Sequence, residues 1–358
     1  MTFDKYDKFN NSLNSDFENI IKDTSKLWKN LKNKNIFLTG CTGFFGYWIL
    51  RTFVIANKKF KLNSKAYVLT RNKSFKKDKI YKLCNDKSIF FHVGDIRNFK
   101  FPKKKFEYII HGATTSAYET FKNQSPLEKA SVIIDGTKNI LNFAKKCSCK
   151  KFLYLSSGAV YQIKSSNKKK FLETSPLTQI KDDNNVLGRA KRIAELQINL
   201  QSNKKYFKTN IARCFSFVGP LLPLNIHYAL GNFLKNSISN KSIQIKSDGK
   251  SIRSYMYVTD LIVWLFHIFF NGKNSEIYNI GSENKISILN LAKLVKKTLN
   301  NKKKISYKKS NLSFIKSTYV PSTLKIRKEL KMHQKINLNE AIQKTFNNIK
   351  DNRFIYND

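Results

Sequence analysis

Three glycines fall at positions 40, 43 and 46 in the run Thr39-Gly40-Cys41-Thr42-Gly43-Phe44-Phe45-Gly46. This spacing suits the capture of a pyrophosphate. The first glycine permits a tight turn, the second lets an anionic ligand approach the backbone, and the third lets a helix pack closely on a strand. The context supports that chemistry: apolar Asn35 to Thr39 (NIFLT) precedes the turn, and a helical pattern from Tyr47 to Ala56 follows it. Strand, glycine turn and helix open a βαβ unit whose helix N-terminus faces the anion. A bound dinucleotide is the expectation, with Gly40, Thr42, Gly43, Phe44, Phe45 and Gly46 around it.

The elements that must hold this turn continue in alternation. Strands are expected at Ala66 to Thr70, Ile89 to Val93, Tyr108 to His111, Phe152 to Ser156 and Asn210 to Cys214, with helices at Ser131 to Lys146 and about Gly188 to Gln201. Such an order predicts an α/β fold, a Rossmann-type doubly wound parallel sheet. After Gly219-Pro220 the pattern loosens, and a smaller C-terminal substrate-binding lobe is expected, with one more strand at Tyr278 to Gly281 and an amphipathic helix at Ile288 to Leu299. The division expected is a helical extension over 1–34, a dinucleotide-binding domain over 35–217 and 256–281, and the lobe over 218–255 and 282–358.

Composition bounds the function. The chain has 358 residues and a formal charge of +43, but its lysines are spread along the whole length, so the charge predicts no nucleic-acid partner. Nine of the 67 basic residues are arginines, and in a chain that defaults to lysine an arginine marks a place where a rigid fork matters. That singles out Arg71, Arg213 and Arg253. The longest apolar run, Leu261 to Phe270, is about half of what a bilayer span needs, so no membrane partner is expected. No secretory pattern opens the sequence, and the five cysteines suggest no disulfide framework, which points to the cytoplasm. The five histidines are scattered, and no metal site is expected.

Several further segments, taken in order, resemble the extended short-chain dehydrogenase/reductase family, and within it the NAD(P)-dependent nucleotide-sugar epimerases and dehydratases, which carry a TGxTGFxG turn. They are Gly94-Asp95-Ile96-Arg97, His111-Gly112-Ala113-Thr114, Ser156 to Tyr161 (SSGAVY), Gly188-Arg189-Ala190-Lys191, Arg213 to Pro220 (RCFSFVGP), Gly231-Asn232-Phe233, Arg253 to Asp260 (RSYMYVTD) and Tyr278 to Gly281. The resemblance implies cofactor contacts at Asp95, Ile96, Ala113, Thr114 and Lys191, and substrate contacts at Thr115, Ser157, Asn232 and Arg253. It implies a nucleotide-diphosphate sugar as partner, a homodimer through two long helices, and a place in surface polysaccharide synthesis.

The family's usual reaction passes a hydride to the nicotinamide while a Tyr takes the hydroxyl proton and a Lys one turn later holds the ribose. Ser157 and Lys191 resemble the family's Ser/Thr and Lys. The Tyr position is Leu187, which carries no proton. Tyr161, Tyr118 or Lys191 itself is then the candidate carrier, or the chain binds without turnover. Gly158 and Ala159 replace the carboxylates that eliminate water in the dehydratases. An epimerase or ketosugar reductase is therefore expected ahead of a 4,6-dehydratase or a UDP-glucuronate decarboxylase. The second strand ends Thr70-Arg71-Asn72, without a carboxylate for a ribose 2′-OH, which favours NADP over NAD with Arg71 at the 2′-phosphate.

Overall fold

The computed structural model describes residues 2–114, 125–163, 169–179, 185–203, 206–224, 228–307 and 317–356. Two compact units emerge, one of residues 1–160, 177–213 and 262–278, the other of 161–176, 214–261 and 279–358.

The first unit is built on a seven-stranded parallel sheet. Its strands are β1 (Asn35–Thr39), β2 (Lys65–Thr70), β3 (Ile89–Val93), β4 (Tyr108–His111), β5 (Lys151–Ser157), β6 (Lys208–Cys214) and β7 (Glu276–Ile280), in the order β7-β6-β5-β4-β1-β2-β3. The order reverses at β1, which pairs with β2 on one side and β4 on the other. The crevice outside the carboxyl ends of β1 and β4 is thus the topological switch point, where doubly wound sheets bind ligands.

The strands are apolar on both faces because helices cover both. Phe37 points to one side, where its ring lies 4.8 Å from Phe143 and 5.6 Å from Phe99. Helices α4 (Pro126–Lys146) and α5 (Val186–Asn203) complete that layer through Val132, Ile133, Ile140, Ala190, Ala194 and Ile198. The 16-residue helix α3 (Phe44–Lys59) and the preceding α1 (Thr2–Asn11) and α2 (Asn14–Thr24) add further aromatic packing, with Phe17 4.8 Å from Trp48 and Phe9 5.8 Å from Tyr47. Asn10 ties α1 down, donating to the Leu83 carbonyl and accepting from the Tyr47 hydroxyl. The register of α1 has few apolar positions.

The second unit holds short strand pairs and helices. Phe217–Val218 pairs in parallel with Met256–Tyr257, Ile252–Arg253 lies between Ile286–Ser287 and Thr318–Tyr319, and Ile243–Ile245 pairs with Ile305–Tyr307. Helices α6 (Ala229–Ile238) and α8 (Ile288–Thr298), which flank α7 (Val258–Asn271) in the chain, pack near these strands. Among the described residues no helix is long and apolar enough to cross a membrane.

Candidate functional site

The glycine turn divides its labour. Gly40 takes a φ of +73° and lies so close to the Gly112 backbone that a Cβ would come within 2.3 Å of it. Gly46 presses on the Cys41 carbonyl, which a Cβ would meet at 2.1 Å. Both glycines are demanded by the fold itself. Gly43 differs: its φ of −123° and ψ of −160° suit any residue, and a Cβ there would meet nothing within 4 Å. The protein alone gives no reason for glycine at this position, and a ligand brought against the backbone does.

Gly43 is also the N-cap of α3 and brings no side chain of its own to cap that end. The N-terminus of a 16-residue helix carries backbone N–H groups and the positive end of its dipole. Thr42 is exposed beside them, and Phe44 and Phe45 are half-buried with rings 5.7 Å apart. Cys41 is buried, and burial pushes its thiol up to about 12.

The end of β4 is fastened to the same turn. Thr39 and His111 are register partners, and the Gly112 and Ala113 N–H groups donate to the Thr39 carbonyl and hydroxyl at 2.9 and 3.3 Å. The His111 ring, fully buried, joins the Thr39 hydroxyl at 2.7 Å to the Thr137 hydroxyl at 3.1 Å and stacks on Tyr154 at 5.3 Å. Burial, with the Lys191 ammonium nearby, holds this imidazole well below its ordinary range, so it stays neutral. Thr114 is exposed at the crevice, and Thr115 and Tyr118 lie outside the described residues.

At the neighbouring strand ends, Arg71 follows β2 and is exposed. Asp95 follows β3, but its carboxylate takes a two-point bond from Arg97, both contacts at 2.9 Å, and these bonds hold its pKa below the usual range. Arg97 also reaches Glu128 at 2.8 Å. The Ile96 side chain is buried against Gly136, and its carbonyl accepts from the Asn139 amide at 2.9 Å.

Helix α5 carries the next group. Its start is capped by Asn185, whose side-chain oxygen accepts from the Gly188 N–H at 2.9 Å and whose amide donates to the Ala159 carbonyl at 2.8 Å. Gly188 is required there, since a Cβ would fall 2.0 Å from the same carbonyl. One turn on, the buried Lys191 ammonium donates to the Leu155 carbonyl at 2.8 Å and lies 4.6 Å from the centre of the Tyr154 ring. Ser157, at the end of β5 two residues past Leu155, is half-buried and accepts from the Ala159 N–H at 3.1 Å. Leu187 is 42% exposed, one turn before Lys191.

Two expectations need correcting. The Arg213 fork is spent within the fold: it binds both oxygens of Glu195, at 3.0 and 2.7 Å, and is buried with it, so Arg213 offers no fork to a substrate. Sequence reasoning found a residue where a fork matters, and the fold supplies its partner, a glutamate four residues after Lys191. Tyr161 is fully buried, its hydroxyl donates to Asn279 at 2.7 Å, and its ring stacks 4.9 Å from Phe171. That arrangement supports the loop around it and leaves the phenol poorly placed to carry protons.

In the second unit Arg253 is partly buried, donating to the Ile252 and Ser317 carbonyls and to the Ser317 hydroxyl. Burial lowers its pKa, and among the described residues no carboxylate pairs with it. Asn232 lines a cleft of about 680 Å³ together with Lys235, Lys241, Lys246, Gln244 and Lys303, and the lining holds no carboxylate. A cleft of that make-up favours an anion. Among the described residues no group of three His, Cys, Asp or Glu could hold a metal ion.

Comparison with known proteins follows this geometry. A family model described as the NAD dependent epimerase/dehydratase family matches residues 36–281. A dTDP-D-glucose 4,6-dehydratase of Dictyostelium discoideum is 28% identical over 277 residues, 73% of this chain and 61% of that protein, so the chain spans about three fifths of that relative's length. The fold matches a UDP-glucose 4-epimerase of Thermotoga maritima, solved with UDP-glucose, at a TM-score of 0.73 with 21% identity over 88% of this chain and 99% of that one. It also matches a dTDP-glucose 4,6-dehydratase of Bacillus anthracis, solved with NAD, at 0.72 with 19% identity over 90% and 98%.

Proposed function

Because the chain belongs to the NAD dependent epimerase/dehydratase family, we propose that it is a cytoplasmic enzyme that modifies a nucleotide-diphosphate sugar through a transient keto sugar, as an epimerase or ketosugar reductase. The supply of sugars for surface polysaccharide is the role that fits. The observation that carries the reading is Gly43, a glycine that the fold does not need, at the N-terminus of α3. The residues present fit a dinucleotide: the α3 N–H groups and Thr42 would hold its pyrophosphate, Ala113 and Thr114 would border it, and Lys191 would hold its nicotinamide ribose. When bound, the nicotinamide supplies hydride acceptance.

The chain's own part is to orient and to manage the proton. Ser157 would hydrogen-bond the reacting sugar oxygen, and Lys191 would lend positive charge beside it. Within the second unit, Asn232 and Arg253 are the residues assigned to substrate, and a forked Arg donor suits a diphosphate. Gly158 and Ala159 offer no carboxylate for water elimination, which argues against a 4,6-dehydratase; that activity and a UDP-glucuronate decarboxylase are the alternatives. Leu187 favours a second reading, a nucleotide-sugar-binding protein that has lost turnover. Mass spectrometry for copurified dinucleotide, then incubation with a panel of UDP- and dTDP-sugars, separates the two. Binding of neither cofactor nor nucleotide sugar removes both.

Arg71 should make NADP the tighter cofactor, since Thr70 and Asn72 beside it offer no carboxylate. Arg71→Ala is expected to weaken NADP by about tenfold or more and leave NAD unchanged. Equal affinities for the two in the parent protein would remove the assignment.

A homodimer through α4 and α5 is part of this reading. Leu196 and Leu200, one turn apart on α5, are 58% and 53% exposed, and Leu127 on α4 is 83% exposed. Sedimentation should give a dimer, and a monomer at micromolar concentration would contradict this.

A further inference from the structure

Leu187, Lys191 and Glu195 follow one another at four-residue intervals and so run down one stripe of α5. The last of them is anchored. The Glu195 carboxylate accepts the Ser156 hydroxyl at 2.6 Å and both arms of the Arg213 fork, with Ser156 near the end of β5 and Arg213 near the end of β6. All three residues are at most 4% exposed. We propose that this Ser156, Glu195 and Arg213 cluster is a positioning device, which fixes the rotation and height of α5 and thereby holds the Lys191 ammonium at the Leu155 carbonyl.

The geometry argues for orientation rather than for glue. A buried ion pair contributes little net stability compared with apolar residues of the same volume, because desolvation offsets the attraction. What it does supply is direction. A fork on a carboxylate, closed by a third hydrogen bond, is directional, whereas the apolar contacts of Ala190, Ala194 and Ile198 in the same layer are not. The cluster pins α5 to two strand ends, one turn below Lys191, which itself touches Leu155, the residue before Ser156. A shift of about 1 Å in such a group can cost about a hundredfold in function.

The inference rests on the reading that Lys191 holds a dinucleotide. The test replaces the whole cluster, Ser156→Ala/Glu195→Leu/Arg213→Met, so that no charge stays buried unpaired. The variant should melt within a few degrees of the parent while its Kd for NADP or NAD rises at least tenfold. In a Lys191→Ala background the same three changes should alter the Kd less than twofold, since the residue being positioned is gone. A parent-like Kd in the triple variant, or a loss that adds in full to that of Lys191→Ala, overturns the proposal. Should the triple variant fail to fold, Arg213→Lys keeps the charges and loses the fork, and a parent-like Kd there overturns it equally. If the parent binds neither dinucleotide, the reading of Lys191 fails separately. A crystal structure of the variant then decides the positioning: Lys191 still bonded to the Leu155 carbonyl overturns it, and an ammonium displaced from that oxygen upholds it.

Discussion

Gly43→Val should abolish dinucleotide binding and leave the fold intact. The new Cβ meets nothing within 4 Å of the protein, and the extended backbone there suits valine. Loss of glycine from the N-cap costs the helix about 1 kcal/mol or less, a shift of a few degrees in melting temperature for a chain of this size. A pyrophosphate drawn onto the α3 N–H groups would collide with the isopropyl group. Calorimetry with NADP and NAD reads the binding, and thermal melting reads the fold. Gly40→Val and Gly46→Val serve as contrasts, since each forces a side chain into backbone at 2.3 and 2.1 Å and should lower stability first. Binding by Gly43→Val at parent-like affinity would remove the turn from the site.

Restoring the phenol with Leu187→Tyr is the other change of large expected effect. The position lies on the stripe of α5 one turn before Lys191, and its 42% exposure leaves room for a tyrosine without disturbing the core. A positioned general acid/base contributes roughly 10²- to 10⁴-fold, and turnover of a bound nucleotide sugar should rise by up to that factor. Unchanged turnover would mean that another group already carries the proton. A fall would assign Leu187 to the shape of the substrate pocket. Both proteins binding cofactor and sugar without product would favour the binding-protein reading.

The sheet was legible because each strand is a short apolar run between polar breaks. β1, β3 and β4 fall on the expected residues, and β2, β5 and β6 extend only one or two residues further. The glycine turn was legible in type and in division of labour, for Gly40 and Gly46 make the backbone contacts that their places in the spacing require. Arg213 and Tyr161 were not. A sequence shows that a residue can make a fork or a hydrogen bond, and only the fold shows that Glu195 and Asn279 have already taken them. The bonding of His111 was illegible for the same reason: its two hydroxyl partners, Thr39 and Thr137, stand 72 and 26 residues away in the chain.

Cys41 sits inside the very turn that would grip the anion, where an accessible thiol would tie cofactor binding to oxidative stress. Burial prevents that. Burial also raises its pKa, to about 12, and so disfavours the thiolate that peroxides and alkylating reagents attack. The other four cysteines, Cys84, Cys147, Cys149 and Cys214, are buried as well. Thiols buried in this way should react slowly with such reagents, and a cysteine introduced on the surface should take a label ahead of them.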